Sequence, residues 1–193
     1  MSINKTLTVV SASKLIERFA SSSLSLLLDI DLKTSKTLGN KSTAFSFKQK
    51  LDLLTDIKAF DKKELPKFQI FTEVRNQFAH NFKVYDYETC FSFIDGGESF
   101  LKKQYTEITD KEKTHEDYLF ELFKKLFSNI ISICGNIIQT IEAKITKDVG
   151  EKLKREMYEK LIVDVKSYAE DNPEFGEFYN KSVDKLVEKK DPE

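Results

Sequence analysis

Residues 114–141 read THEDYLFELFKKLFSNIISICGNIIQTI, and they predict the longest helix of the chain. Thr114 and Asp117 have the spacing of a capping box, which marks the start of a helix. Apolar residues then recur every three or four positions, and a second apolar set lies beside the first. The two sets are Leu119, Phe123, Leu126, Ile130, Ile133, Ile137 and Ile141, and Phe120, Phe127, Ile131, Cys134 and Ile138. A stripe of this width predicts a helix that is packed on two sides, with Gly135 at a close crossing.

Amphipathic periodicity also predicts helices before residue 114. The first is expected to end near residues 31–32, and Ser46 is placed to cap a second. Asp61 is placed to cap a third, which is expected to end just before Asn81, because asparagine accepts the left-handed backbone that often follows a helix. A fourth helix, capped by Asp86, is expected to break or kink sharply at a double glycine.

From residue 148 onward the sequence is more highly charged, and narrower apolar stripes predict a C-terminal pair of helices. No segment shows the apolar and polar alternation that is typical of a strand. The fold is therefore predicted to be all-α. We expect an antiparallel bundle of about five helices over 5–147 and a C-terminal helical extension over 148–193, which packs on the bundle or on a partner.

Composition narrows the classes of partner and ligand. The 31 Lys and Arg residues balance 32 Asp and Glu residues, so the chain lacks the basic surface typical of duplex DNA-binding proteins. Cys90 and Cys134 lie in apolar helical segments without metal-ligand spacing, which indicates buried thiols in a reducing compartment. No apolar run is long enough for a membrane span or placed as a secretory signal. We expect a cytoplasmic protein without membrane association, metal or cofactor.

Residues 75–80, Arg-Asn-Gln-Phe-Ala-His, are the candidate for chemistry. On a helix, Asn76 and His80 lie one turn apart on the same face, so the amide can orient the imidazole, and Arg75 lies beside them. His80 in the last turn is favoured as an imidazolium by the carbonyl end of the helix dipole. The Arg75 guanidinium has donors suited to a phosphate.

Two stretches of the chain resemble the mannitol-operon repressor family. They are Thr-Ala-Phe-Ser-Phe-Lys-Gln-Lys-Leu-Asp-Leu-Leu at 43–54 and Glu-Val-Arg-Asn-Gln-Phe-Ala-His-Asn at 73–81. That family is similar to the wider HEPN superfamily (higher eukaryotes and prokaryotes nucleotide-binding), whose hallmark is an Arg, a polar residue, a few variable positions and a His. Arg75, Asn76 and His80 match this hallmark. The resemblance runs from the first helix to the end of the long one, excludes the C-terminal pair, and implies a HEPN-like helical bundle.

The resemblance implies a metal-independent endoribonuclease that works as a homodimer and serves as a toxin or defence effector. In such cleavage the RNA 2′-hydroxyl attacks its own phosphate, which requires a base and an acid. One chain has a single histidine in the site, so a symmetric dimer would bring two copies of Arg75 and His80 to one cleft. Candidate RNA-binding residues are Lys36, Lys41, Tyr85 and Tyr87, which have the chemistry to hold phosphate or stack on a base.

Non-catalytic alternatives stay open. Arg75, Asn76 and His80 also suit a polar joint that locks helix packing. The protein would then be a non-enzymatic regulator or adaptor, as the repressor family name implies, that acts through protein contacts. An antitoxin or another protein that silences the site is a candidate partner. Tyr85 and Tyr87 also suit core or rim positions, and His115 is expected to be a solvated residue at a helix start.

Overall fold

The chain is all-α in the computed structural model, which describes residues 5–39, 43–110, 113–144, 147–172 and 176–190. The helices within these ranges are α1 (Lys5–Leu28), α2 (Phe47–Asp56), α3 (Leu65–His80), α4 (Tyr87–Ser92), α5 (Gly97–Gln104), α6 (His115–Lys144), α7 (Lys147–Asp171) and α8 (Gly176–Lys190). The described residues contain no strand, so the predicted all-α class is confirmed. Among them, no helix is both long enough and apolar enough to cross a membrane.

Helix starts are set by short polar side chains at the predicted positions. Ser46, Asp61, Asp86 and Thr114 each accept a hydrogen bond from a backbone N–H two or three residues later. Such a bond satisfies one of the free N–H groups at a helix start. Asp61 caps the 3₁₀ turn Lys62–Glu64, which leads directly into α3. The caps predicted at Ser46, Asp86 and Thr114 are therefore confirmed, whereas Asp61 caps the 3₁₀ turn before the third helix and not that helix itself.

Helix α1 ends at Leu28 and not at the predicted 31–32. Asp29 has a φ of 51°, in the left-handed region that ends helices. The Ile30 N–H then donates to the Ser25 carbonyl at 2.9 Å, and the Ser25 hydroxyl donates to the Ile30 carbonyl at 2.6 Å. Aspartate is one of the few non-glycine residues that tolerate this backbone, so it ends the helix although the apolar pattern continues.

The predicted break in the fourth helix is the junction between α4 and α5. Gly96 has a φ of 67° and is the N-cap of α5. Gly97 follows at a close approach, because a Cβ atom there would lie 2.5 Å from Cγ2 of buried Ile94. One glycine provides the left-handed backbone and the other provides the space, so the double glycine divides the helix.

Two compact units share the described residues. Unit 1 comprises Met1–Ser13 and Pro66–Ile130, and unit 2 comprises Lys14–Leu65 and Ile131–Glu193, each in its described part. The predicted division into 5–147 and 148–193 follows a change in sequence character and stays a prediction.

The core of unit 1 is aromatic and joins α3, α4 and α6. The rings of Phe71 and Phe123 are stacked, with centroids 5.9 Å apart. The Phe78 ring meets Tyr87 edge-on at 5.2 Å, and Tyr87 in turn lies 5.3 Å from Phe123. All four side chains are buried. Aromatic pairs at these distances bury large areas and fix the rotation of each helix about its axis.

Unit 2 contains α2, α7, α8, the C-terminal parts of α1 and α6, and a core with two buried polar contacts. The Tyr158 hydroxyl of α7 donates to the Gly135 carbonyl of α6 at 3.0 Å, and burial raises the Tyr158 pKa to about 12. The ammonium of Lys50, a residue only 2% exposed, donates to Glu17 Oε1 at 3.2 Å. Helix α7 packs on α8.

Candidate functional site

Helix α3 divides its side chains between a buried face and an exposed face. Val74 and Phe78 are buried in the aromatic core of unit 1. At 3.6 residues per turn, the residues next to these positions lie on the flanks of the helix. Arg75 is half-buried, whereas Asn76 and His80 are exposed. The structure therefore brings the three predicted site residues together at the surface of one helix.

One guanidinium nitrogen joins the three side chains. Arg75 Nη1 donates to Asn76 Oδ1 at 2.9 Å and lies 3.3 Å from His80 Nε2. Nη1 carries two hydrogens and is always a donor, so His80 Nε2 takes part as an acceptor. An imidazolium would have no lone pair for this contact and would set two cations against each other. The contact is a hydrogen bond in the tautomer that leaves Nε2 without a proton.

The hydrogen-bond partners differ from those that helix spacing predicts. The Asn76 amide was expected to orient the imidazole, but its oxygen accepts from Arg75 and so orients the guanidinium. The contact that orients His80 comes from Arg75. Among the described residues, no carboxylate lies within ion-pair distance of Arg75, so the buried ion pair expected of a structural joint is not formed by that part of the chain.

Asn81 closes the C-terminal end of α3 with its side chain. Its backbone N–H donates to the Gln77 carbonyl at 3.0 Å, and its Nδ2 donates to Gln77 Oε1 at 3.0 Å. Its Oδ1 accepts from the Lys83 N–H at 3.1 Å, which forms a side-chain turn. Asn81 is not among the residues with positive φ, so the expected left-handed conformation was wrong.

A shallow open depression adjoins the histidine, and Phe82 is part of it. The depression is lined by Asn76, Gln77, His80, Asn81 and Phe82. Phe82 is 93% exposed, which is unusual for a phenylalanine. Sequence reasoning missed it, although one signal was present. Phe82 continues the apolar spacing of α3, four residues after Phe78, but it lies beyond the expected end of the helix, between polar Asn81 and Lys83.

The two predicted tyrosines have opposite environments. Tyr85 is 75% exposed and free to stack on a base. Tyr87 is 0% exposed and lies between Phe78 and the α6 rings of Phe120 and Phe123. Its assignment as an RNA-binding residue is therefore corrected, because a ring enclosed in the core cannot reach a ligand. Tyr87 anchors α4, and the exposed aromatic residues near the end of α3 are Phe82 and Tyr85.

The predicted lysines lie in the loop of unit 2 between α1 and α2. Lys36 is exposed, while Lys41 lies outside the described residues. The loop is held by Leu38, which is 1% exposed, and by the Asp31 carboxylate, which accepts from the Lys33 N–H at 2.9 Å. Lys36 is thus available to a ligand, and its participation in binding stays a prediction.

The second histidine, His115, belongs to an ion-pair cluster at the start of α6. Its Nδ1 lies 3.3 Å from Glu88 Oε1 and its Nε2 lies 3.1 Å from Glu98 Oε1. Burial raises the pKa of Glu98, but hydrogen bonds from Lys102 and His115 outweigh this effect and leave that pKa below its ordinary value. His115 is exposed, as expected, yet it has fixed partners.

Glu116 organises the same end of unit 1 and was not singled out in the sequence. Its Oε2 accepts from the backbone N–H groups of Tyr87 at 2.7 Å and Glu88 at 3.0 Å, at the start of α4. Its Oε1 forms an ion pair with Lys5 of α1. A carboxylate at a helix N-terminus satisfies free donors and complements the helix dipole. Glu116 therefore fixes the helix that begins at Tyr87.

The two cysteines are free thiols in the core. Cys90 and Cys134 are buried. Burial raises the pKa of Cys90 to about 12 and also raises that of Cys134. Within the described ranges, no group of three or more His, Cys, Asp or Glu side chains is arranged to hold a metal ion.

The geometry gives this chain one surface site in which an arginine, an asparagine and a histidine touch beside an exposed phenylalanine. The resemblance to the mannitol-operon repressor family and the HEPN superfamily stays a prediction. Comparison with family models, with curated proteins and with solved structures gives no match.

Proposed function

We propose that this protein is a HEPN-type, metal-independent endoribonuclease that acts as a homodimer, in the role of a toxin or defence effector. The observation that carries the proposal is the exposed contact of Arg75 with His80 and Asn76 on one helix. A polar joint for packing would use a buried arginine with a carboxylate, whereas this arginine contacts His80 and Asn76, which line an open depression. An exposed guanidinium that has no carboxylate partner in the described part of the chain suits an anionic ligand.

Each side chain has a role in cleavage by the RNA 2′-hydroxyl. His80 Nε2 carries a lone pair and accepts the proton of the 2′-hydroxyl as the 2′-oxygen bonds to phosphorus. The bond from phosphorus to the 5′-oxygen breaks, and that oxygen takes a proton from an acid. Arg75 donates to the phosphate oxygens, where charge accumulates in the transition state. The products are a 2′,3′-cyclic phosphate and a 5′-hydroxyl.

Binding of the phosphate is coupled to activation of the histidine. In the free site, Arg75 Nη1 occupies the lone pair of His80 Nε2. A phosphate is a stronger acceptor than an imidazole, so it draws the guanidinium toward itself and releases Nε2. Asn76 Oδ1 accepts from the same Nη1 and limits how far the guanidinium moves. His80 is thus free to accept the proton of the 2′-hydroxyl only when a substrate phosphate is present.

The proton donor for the leaving oxygen is assigned to a second copy of the chain. One copy has only one histidine on this flank of α3, because His115 is engaged by Glu88 and Glu98. An imidazolium is the usual acid for a 5′-oxygen near neutral pH. A second His80 across a two-fold axis supplies it, and two-fold dimers are the commonest protein assemblies.

The test is incubation of the purified protein with single-stranded RNA in the presence of a chelator, followed by analysis of the cleaved ends. We expect 2′,3′-cyclic phosphate ends from the wild type and loss of cleavage in His80→Ala and Arg75→Ala. His115→Ala is the matched control, since it removes the chain's other exposed histidine and should retain cleavage. An oligonucleotide with a 2′-deoxyribose at the cleaved position should resist the wild type.

Concentration dependence tests the dimer. Specific activity per chain should rise with protein concentration over the range in which sedimentation shows a monomer becoming a dimer. Activity that is unchanged in a pure monomer would refute the shared site. If wild type and His80→Ala, both folded and dimeric, leave RNA equally intact or equally cleaved, the catalytic assignment fails. The non-catalytic regulator that acts through protein contacts is then the favoured function.

A further inference from the structure

Unit 2 contains a cleft whose lining is rich in cations. The cleft has a volume of about 620 Å³, within the range of small-molecule sites, which is roughly 300 to 1,000 Å³. Lys14 and Arg18 reach it from α1 and Lys160 reaches it from α7. The hydroxyl residues Ser21 and Ser22 of α1 line it as well. Cationic groups and hydroxyl groups therefore converge on one recess from two helices.

Cations outnumber carboxylates among the described residues that line the cleft. Among the described residues, its lining has three cations and one carboxylate, that of Glu17, for a net charge of +2, although the whole chain has a net charge of −1. The Glu17 carboxylate is already bound by the buried ammonium of Lys50 at 3.2 Å. Arg18 has a loose ion pair with Asp164 at 3.3 Å, and its side chain is 64% exposed. The cleft thus keeps a positive potential that attracts anions.

An apolar wall accompanies the cations. Leu32 and buried Leu38 of the loop after α1 line the cleft. A small recess beside it, which shares Arg18, Ser22 and Lys160, is lined by Leu15, Phe19, Met157 and Leu161 and by Asp164, the partner of Arg18. Ligand sites combine this kind of apolar surface with a few polar groups that fix orientation.

We propose that this cleft binds an organic phosphate, with its phosphate group on Lys14, Arg18 and Lys160 and its apolar part against Leu32 and Leu38. A phosphate monoester has a charge of about −1.5 to −2 at neutral pH, so it suits a lining with three cations better than the single charge of a carboxylate does. A polynucleotide would require cations that continue along several phosphates. Here the cations surround one recess, which favours a small ligand. The proposal is independent of the ribonuclease assignment.

The experiment is isothermal titration calorimetry of the full chain with 1-naphthyl phosphate, inorganic phosphate and 1-naphthol, each in a separate titration. We expect one saturable site per chain for 1-naphthyl phosphate, weaker binding of inorganic phosphate and no binding of 1-naphthol. Arg18→Gln and Lys160→Gln should each weaken binding of 1-naphthyl phosphate about tenfold or more, because each removes a charge-assisted hydrogen bond. Lys166→Gln makes the same charge change on the exposed surface of α7, outside the cleft, and should leave binding unchanged.

Three outcomes would overturn the proposal. The first is the absence of saturable binding at millimolar probe. The second is an equal loss of affinity in Lys160→Gln and Lys166→Gln, which would indicate a general charge effect. The third is displacement of the probe by a short oligouridylate that binds more tightly per phosphate, which would assign the cleft to RNA. Circular dichroism would show that each variant keeps its fold. Binding of the probe by His80→Ala would show that the two sites are separate.

Discussion

Glu116→Gln tests whether one carboxylate holds the start of α4. The Glu116 side chain accepts hydrogen bonds from the backbone N–H groups of Tyr87 and Glu88 and forms an ion pair with Lys5. Glutamine keeps the shape and one acceptor oxygen but loses the charge. The variant therefore converts two charge-assisted hydrogen bonds into neutral ones and removes an ion pair.

The size of the effect follows from these contacts. A hydrogen bond to a charged group contributes about 1.5 to 3 kcal/mol and a neutral one about 0.5 to 1.5 kcal/mol, so each conversion costs about 1 kcal/mol. The ion pair adds about 0.5 kcal/mol, because its two side chains are 32% and 25% exposed and solvent screens them. The expected loss of unfolding free energy is about 2 to 3 kcal/mol.

Urea unfolding followed by circular dichroism measures this loss, and hydrogen exchange locates it. The matched control is Glu121→Gln, also on α6, which removes only a pair with Lys124 and should cost about 0 to 1 kcal/mol. The amides of Tyr87 and Glu88 should exchange faster in Glu116→Gln and not in the control. Equal stabilities for the two variants, or unchanged exchange at these amides, would refute the role of Glu116.

Two further predictions concern the packing of the core. Gly97→Ala should destabilise the protein by about 1 to 3 kcal/mol in urea unfolding, because the new Cβ would lie 2.5 Å from the stiff, buried side chain of Ile94. Gly176→Ala, where a Cβ meets nothing within 4 Å, is the control, and equal stabilities would contradict the packing argument. Cys90 and Cys134 should resist a disulfide reagent at pH 8 in the native state and react in urea, because burial raises both pKa values and depletes the thiolate, with that of Cys90 at about 12. A thiol that reacts rapidly in the folded protein would show that the core opens there.

The elements that sequence predicted well are those set by local chemistry or by a repeating pattern. The caps at Ser46, Asp61, Asp86 and Thr114 depend on one side chain and the backbone beside it. The wide stripe of α6 requires only burial at helical spacing, and nearly all of its positions are buried. The end of α1 was misplaced because a left-handed Asp29 overrides an apolar pattern that continues beyond it.

The spacing of apolar residues could not predict contacts between segments that are distant in the sequence. Tyr85 and Tyr87 are two residues apart and chemically identical, yet one is exposed and the other is enclosed by rings of α3 and α6. Asp86 gave the start of α4, but which tyrosine faces solvent depends on how α4 packs, and Glu116 contributes to that from 29 residues away along the chain. Phe82 was overlooked for the same reason, since its exposure follows from the turn after α3 and not from a repeat.

Arg75 and His80 make their contact within a single helix. Helical neighbours are normally three or four residues apart, but these two residues are five apart, and the length of the arginine side chain spans the difference. The contact is therefore made within α3 and needs no second chain. On the proposed mechanism, an isolated copy is inactive for two reasons: the base is occupied by Arg75, and the acid is absent. Phosphate binding can remove the first obstacle, whereas only a second copy can remove the other. We therefore expect a monomer to bind the substrate but not to cleave it. Arg75→Ala should lose this affinity for the substrate, whereas His80→Ala should keep it.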